Sequence, residues 1–291
     1  MPSTSANAAS TPAPSTPSFW RDDALPFIEV RAIADGRKVS YGRHAHSTFS
    51  IGAVTGGHSS YLNGNTLQHI GAGTVVIINA NVVHACNPAA DEPWAYRMFY
   101  VDVDWLANLQ RALGFGAQDG LRAFEPTLTR EPALFAGLNA LYDTLTDPRE
   151  SVLNKERAVT AYFTALILAL HEAVHPAMQP DPAPLAAREP NARLARAAEF
   201  IDGNYTRALK LDEICAAADL SPSHLIRAFR EQYGMTPHAY VVNRRIEFSR
   251  AQLRRGHAIA DVAAEAGFAD QAHLQRAFRQ FVAATPGQYR G

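Results

Sequence analysis

His224-Leu-Ile-Arg-Ala-Phe-Arg-Glu-Gln-Tyr-Gly-Met-Thr-Pro-His-Ala-Tyr240 is nearly rewritten as His273-Leu-Gln-Arg-Ala-Phe-Arg-Gln-Phe-Val-Ala-Ala-Thr-Pro-Gly-Gln-Tyr289. The copies lie 49 residues apart (273 minus 224) and agree at nine of seventeen positions, so the C-terminal third holds one structural unit twice. Each copy follows a short apolar segment and a turn: Leu211, Ile214 and Cys215 precede Asp219-Leu220-Ser221, and Ile259, Val262 and Ala263 precede Ala266-Gly267-Phe268. The unit is therefore helix, tight turn, helix. Leu225, Ala228 and Phe229 recur at i, i+3, i+4, as do Leu274, Ala277 and Phe278, which marks the core face of each second helix.

The opposite face carries Arg227 and Arg230 in one copy and Arg276 and Arg279 in the other. Arginines three apart project together from a helix, and a guanidinium either grips a guanine edge with two donors or neutralises a phosphate. Ser221-Pro222 reads as an N-cap followed by proline at the first helical position, a helix start whose free N–H groups suit phosphate. A solenoid with solvated arginines is the bland alternative, but solenoids need three or more repeats and this chain has two. Between the copies, residues 237–255 set Tyr240, Val241, Ile246 and Leu253 among Arg244, Arg245, Arg250, Arg254 and Arg255, which reads as one amphipathic helix. About 18 residues at 1.5 Å each give a strut of roughly 27 Å, near the roughly 34 Å between successive major-groove faces of B-DNA.

On these strings, and on the endings Gly234-x-x-Pro237 and Pro286-x-x-Tyr289-Arg290, residues 191–291 resemble the tandem helix-turn-helix domain of AraC/XylS-type transcription regulators. The two units fall at about 209–233 and 257–281. The resemblance implies base reading from the exposed face of each second helix: Ser223, Ile226 and Arg227, then Gln271, Ala272, Gln275 and Arg276. Arg230, Arg279 and Ser221 are expected on phosphate. Ile226 and Ala272 can meet only a thymine methyl, so readout leans on Arg227, Gln271, Gln275 and Arg276. His224 and His273, beside Leu and Phe, are expected to pack inward or touch phosphate. The implied partners are double-stranded promoter DNA, RNA polymerase and a second copy of the chain.

Charge divides the same way. Residues 191–291 hold 14 Lys+Arg against 10 Asp+Glu, while the remaining 190 residues hold 13 against 18, so a formal net of −1 conceals a basic domain on an acidic remainder. Cys86 and Cys215 lie far apart in apolar stretches and read as buried thiols of a reduced, cytoplasmic protein rather than a disulfide framework. No run of eighteen apolar residues exists, so no membrane partner is expected. The Ser/Thr/Ala/Pro-rich start, residues 1–19, reads as a disordered tail rather than a signal peptide.

Upstream, short β-type runs at 27–32, 39–41, 48–54, 59–62, 74–78 and 96–103 alternate with turn signals at Gly56-Gly57, Asn63-Gly64-Asn65 and Gly71-Ala72-Gly73. That spacing indicates an antiparallel barrel or double-sheet roll. Residues 20–105 resemble the cupin-like effector domain of the same regulators, because Arg43-His44-x-His46 and Asn79-Ala80-Asn81-x-x-His84 match the places where cupins carry histidines. His44, His46 and His84 could then converge on a divalent metal. Ser50, however, stands where a liganding glutamate is expected, which argues against a metallo-enzyme; no metal, no cofactor and no catalytic residue are expected. Instead Tyr41, Arg43, His44, His46, Tyr61, His84, Trp94 and Tyr96 are expected to line a pocket for a small polar effector. The plainer reading has His44 and His84 closing the barrel rim on backbone groups.

Residues 106–175 turn helical, with Leu134, Leu138, Leu141, Tyr142 and Leu145 in one stripe and Val159, Tyr162, Phe163, Leu166, Ile167 and Leu170 in another. Such stripes bury against the barrel or against a second subunit, and the resemblance favours the second. Five prolines within 176–190 make an extended linker. The fold expected is α+β multidomain: a cupin-like antiparallel β-barrel with its helical segment, then an all-α tandem helix-turn-helix domain. The function expected is sequence-specific transcription regulation under a small-molecule effector. A regulator whose barrel serves only assembly and an enzyme fused to a DNA-binding domain are the alternatives.

Overall fold

A computed structural model describes residues 16–89, 92–117, 120–174 and 191–291; the linker expected at 176–190 and most of the tail expected at 1–19 lie outside the described residues. The N-terminal half is an antiparallel sheet built round one strand. Strands β1 (Ser18–Trp20), β2 (Ile28–Ile33), β3 (Phe49–Asn63), β4 (Thr66–Gly71), β5 (Val75–Ile78), β6 (His84–Pro88), β7 (Trp94–Val101) and β8 (Leu128–Thr129) follow in chain order. The path runs β1-β2-β7-β3-β5-β8, while β4 and β6 pair with the far half of β3.

The two runs expected at 48–54 and 59–62 are thus one strand, and the Gly56-Gly57 turn between them is a bulge. Register slips between Val54 and Gly56 there. Gly57 has φ +66°, and a Cβ would stand 1.6 Å from the Pro93 carbonyl oxygen, so glycine alone permits the close approach that bends the strand. The strand expected at 39–41 does not form. Val39 N–H closes a turn on the Gly36 carbonyl, and Tyr41 N–H donates to the Asn87 side chain, so neither is left for a ladder. Ser18 and Phe19, assigned to the tail, pair with Ala32 and Arg31 of β2.

Helices α1 (Val103–Ala112), α2 (Pro132–Thr146) and α3 (Val152–Val174) cover one face of the sheet. Leu138, Leu141, Leu145, Phe163 and Leu166 share one buried core with Val30, Phe49, Ile51, Ile77 and Phe99. Both helical stripes are therefore spent inside the chain, on its own barrel.

The C-terminal part contains α4 (Ala192–Asp202), α5 (Leu211–Ala218), α6 (Pro222–Tyr233), α7 (Pro237–Arg254), α8 (Ile259–Glu265), α9 (Gln271–Val282) and α10 (Pro286–Arg290). The repeat maps onto α5-α6 and α8-α9, joined by α7. Two cores form: Leu225 and Phe229 with α4 and α5, and Leu274 and Phe278 with Val262, Phe281 and Tyr289. Copy one turns through Asp219 in the left-handed region, copy two through Gly267 at φ +80°, where a Cβ would stand 2.2 Å from the Thr206 carbonyl oxygen.

Candidate DNA interface and effector cavity

The exposed faces of α6 and α9 carry the side chains expected to read DNA. Ser223, Ile226, Arg227 and Arg230 are exposed on α6, and Gln271, Ala272, Arg276 and Arg279 on α9, with Gln275 half-buried. Ser221 caps α6 by backbone geometry, and its hydroxyl makes no capping bond. His273 packs edge-on against Phe268 as a boundary residue, whereas His224 is exposed rather than inward. The α6 face is not clear of the barrel: Ser223, Ile226, Arg227 and Arg230 border one cleft with Arg43 and with Asn65 of the β3–β4 turn.

Inside the barrel, a narrow cavity of about 30 Å³ is lined by Val54, Ile70, Val76, Ile78, Trp94 and Met98, with Tyr41, His44, His84, Tyr96 and Tyr100 as its polar side. That volume is room for a water or two rather than a ligand, but a mostly apolar wall with a few polar groups is the usual make-up of small-molecule sites. Tyr41 and Tyr96 share a hydroxyl–hydroxyl bond of 2.5 Å. Burial pushes the Tyr96 phenol up to about 12 and Tyr41 well above its ordinary value, so both stay protonated as donors. Of the eight residues expected there, Tyr41, His44, His84, Trp94 and Tyr96 line this cavity. Tyr61 is buried elsewhere, donating to the Ile77 carbonyl, and Arg43 is exposed, donating to the Gly234 carbonyl at the end of α6. His46 faces the adjoining space between barrel and DNA-binding part.

That adjoining space holds the residues that sequence reasoning missed. Arg31 of β2, 1% exposed, donates to the carbonyls of Val282 and Ala283 and so caps the C-terminal end of α9. Its Nε has no hydrogen-bond partner, and it forms no ion pair among the described residues. Its guanidinium lies 5.2 Å from the Tyr41 ring centroid. Glu29, two residues earlier on the same face of β2, accepts from Arg21 at 2.8 Å and from the Tyr289 hydroxyl at 3.2 Å, and lies 3.7 Å from Arg250 of α7. Burial alone would raise the Glu29 carboxyl, but Arg250, then Arg21, hold it below its ordinary value. Asn243 of α7 exchanges two hydrogen bonds with the backbone of Ala45, at 3.1 and 2.9 Å. The signal for Arg31 and Glu29 was present: two charges on one face of a strand whose alternate residues are apolar.

The three histidines do come together. His44 and His84 form a two-bond antiparallel bridge, 3.1 and 2.8 Å, and one ring nitrogen from each of His44, His46 and His84 lies within 4.8 Å of the others. Burial holds all three below the ordinary imidazole range, His84 at about 4, so the rings are neutral at pH 7.

Comparison with known proteins places this geometry. A helix-turn-helix domain family matches residues 214–291, and the AraC-like ligand binding domain family matches residues 27–182. The uncharacterized HTH-type transcriptional regulator YbfI of Bacillus subtilis (strain 168) is 24% identical over 250 residues, covering 86% of this chain and 87% of its own. The lactose operon transcription activator of Staphylococcus xylosus is 19% identical over 238 residues, 81% of either chain. The transcriptional regulator MtrA of Neisseria gonorrhoeae is 35% identical over 81 residues, 28% of this chain and 27% of its own. Among solved structures, an apo form of ToxT from Vibrio cholerae superposes with a TM-score of 0.56 at 15% identity, covering 90% of this chain and 96% of that one. ToxT bound to an unsaturated fatty acid gives 0.52 at 13% identity and 96% coverage of both. No described helix is long and apolar enough to cross a membrane.

Proposed function

Because the chain belongs to the AraC family of DNA-binding transcription regulators, we propose that α6 and α9 read adjacent major grooves of a promoter while a small molecule in the barrel sets how they are presented. Arg227, Gln275, Gln271 and Arg276 supply base readout, and Arg230, Arg279 and Ser221 hold phosphate. No catalytic step is assigned to the barrel.

The observation that carries the effector reading is Arg31. A buried cation with no carboxylate partner among the described residues stands next to the polar side of the cavity and caps α9 with the same guanidinium. An acid whose apolar body parts the cavity walls as it enters, and whose carboxylate passes Tyr41 and Tyr100 to reach Arg31, competes with the Val282 and Ala283 carbonyls. It therefore binds best where the end of α9 has moved, and such differential affinity is what shifts a population. The fatty acid in ToxT supports a carboxylic acid as the class.

The test measures operator affinity of the full chain, on DNA recovered by binding-site selection, with a panel of short alkyl and aryl carboxylic acids and their primary amides. Acids are expected to change affinity and raise the unfolding temperature, amides to do neither, and Arg31→Lys to blunt the response. DNA binding that no acid alters would leave the barrel a role in assembly alone. Dimerisation, with both helical stripes spent internally, falls to the outer face of α3, where Leu153 and Leu168 are 54% and 40% exposed. Leu168→Glu is expected to yield monomers in sedimentation equilibrium; unchanged dimers would move the interface elsewhere. RNA polymerase is the further partner of a DNA-bound activator.

A further inference from the structure

We propose that His44, His46 and His84 bind one divalent first-row transition metal ion at the join between barrel and DNA-binding part. The missing carboxylate at Ser50 argues against a metal when the sequence is read alone. The side-chain geometry argues the other way.

Each ring is oriented by a backbone carbonyl through Nδ1: His44 on Gly42 at 2.9 Å, His46 on Thr48 at 3.0 Å and His84 on Val82 at 2.8 Å. A carbonyl oxygen only accepts, so Nδ1 carries the proton in all three and Nε2 carries the lone pair. This is the outer-shell arrangement that fixes the tautomer and aim of metal-ligating histidines. Three such residues occur at one place, on two segments locked together by the His44–His84 bridge. His46 and His84 are 3% and 4% exposed, so water does not freely solvate these lone pairs, and Ser50 Oγ, 3.3 Å from His46 Nε2, is the hydroxyl an ion there would displace.

Ligand atoms within 4.8 Å of one another need only modest closure to bind an ion. Tetrahedral coordination at about 2.0–2.1 Å sets donors about 3.4 Å apart, so the rings move together by roughly 1 Å. Three neutral imidazoles suit zinc, cobalt, nickel or copper and do not suit calcium or magnesium. Among the described residues no carboxylate joins the three rings, so the ion keeps a site open to solvent or to an exogenous anion. Of the two arginines that face the rings, Arg250 is answered by Glu247 at 3.0 Å and Glu29 at 3.7 Å, and Arg31 by the Val282 and Ala283 carbonyls. The ion would rivet the 44–46 segment to β6, and Ala45 in that segment is the residue that Asn243 of α7 holds.

The experiment uses the full chain stripped with a chelator, exchanged into clean buffer and titrated with cobalt(II) and then zinc(II). One cobalt per chain with the strong visible bands of a four-coordinate nitrogen site is expected, displaced by one zinc. His46→Ala and His84→Gln are expected to abolish both while leaving circular dichroism unchanged. The His58→Ala/His69→Ala double variant, altering exposed histidines, is expected to bind as wild type. A wild-type chain that takes up no stoichiometric cobalt or zinc overturns the proposal without reference to any variant. So does full uptake by the His46→Ala and His84→Gln chains.

Discussion

The two helix-turn-helix units share a scaffold, yet the barrel holds them differently. Both second helices end on a left-handed residue at matching positions, Gly234 after α6 and Ala283 after α9. The first end is met from the surface, by exposed Arg43 at 3.3 Å. The second end is sunk into the barrel: Arg31 caps it from a buried position, and the Gln280 carbonyl accepts from Gly42 at 2.8 Å. Of the two copies, copy two is thus the one whose end is built into the join that α7 also makes with the barrel. Copy one is the unit whose reading face borders a barrel turn. The lesson is that an internal repeat can keep its packing residues identical while its ends diverge, and the divergence is where coupling enters.

The comparison breaks most completely at Glu29, which ties β2 to α7 and α10. Glu29→Gln leaves Arg250 and Arg21 short of a buried counter-charge and is expected to cost about 3–5 kcal/mol in urea unfolding. The acid side follows from the same contacts. With the folded carboxyl held below its ordinary 4.5, the Glu29 contribution is complete above that pH and disappears as pH falls through the lower folded value. Wild type should therefore lose more stability over that window than the Gln variant, whose other paired carboxylates titrate alike; parallel curves would remove Glu29 from the join. Next comes Arg31→Met, expected to cost about 2–4 kcal/mol by freeing two helix-end carbonyls and a buried cap. Arg43→Met is expected to cost under about 1 kcal/mol, and equal losses would mean the two ends are held alike.

The repeat was legible because helix-turn-helix geometry is local: Leu225, Phe229, Leu274 and Phe278 set the core face, and Pro237 and Pro286 set the following starts. The barrel was legible as a class but not strand by strand. Nothing in Gly56-Gly57 alone separates a hairpin turn from a bulge, since both want a left-handed glycine; the deciding partner, Pro93, lies far along the chain. Likewise Tyr61 resembles a pocket residue until its hydroxyl is seen on the Ile77 carbonyl. Arg31 and Glu29 could be seen as charges on a strand face, but what they hold across the join could not, because Val282 and Arg250 lie more than 200 residues away.

At the DNA surface the asymmetry predicts unequal reading. Arg276→Ala is expected to cost about 1–3 kcal/mol at its own base pair and relax specificity there, as judged by binding-site selection. Arg227→Ala should cost less, because its neighbours offer Ser223 and Ile226 where α9 offers Gln271 and Gln275, and because its cleft is shared with Arg43. Uniform loss on all sequences would reassign Arg276 to phosphate, and a larger effect at Arg227 would invert the ranking of the two units.

The smallest effects isolate the helix ends themselves. Gly234 has φ +71°, and an added Cβ would stand 3.0 Å from Val83 Cβ, so Gly234→Ala adds both a backbone penalty and a crowded contact. A loss of about 1–2 kcal/mol is expected. Ala283 already bears the backbone penalty at φ +50°. Ala283→Gly relieves it but adds about 0.5–1 kcal/mol of unfolded-chain entropy and removes a methyl packed on the barrel core, leaving a gain of no more than about 0.5 kcal/mol. Calorimetry on both variants separates the two ends. If Gly234→Ala were silent, the end of α6 would not be seated on Val83 in solution, and the Arg43 contact would be left to hold copy one against the barrel.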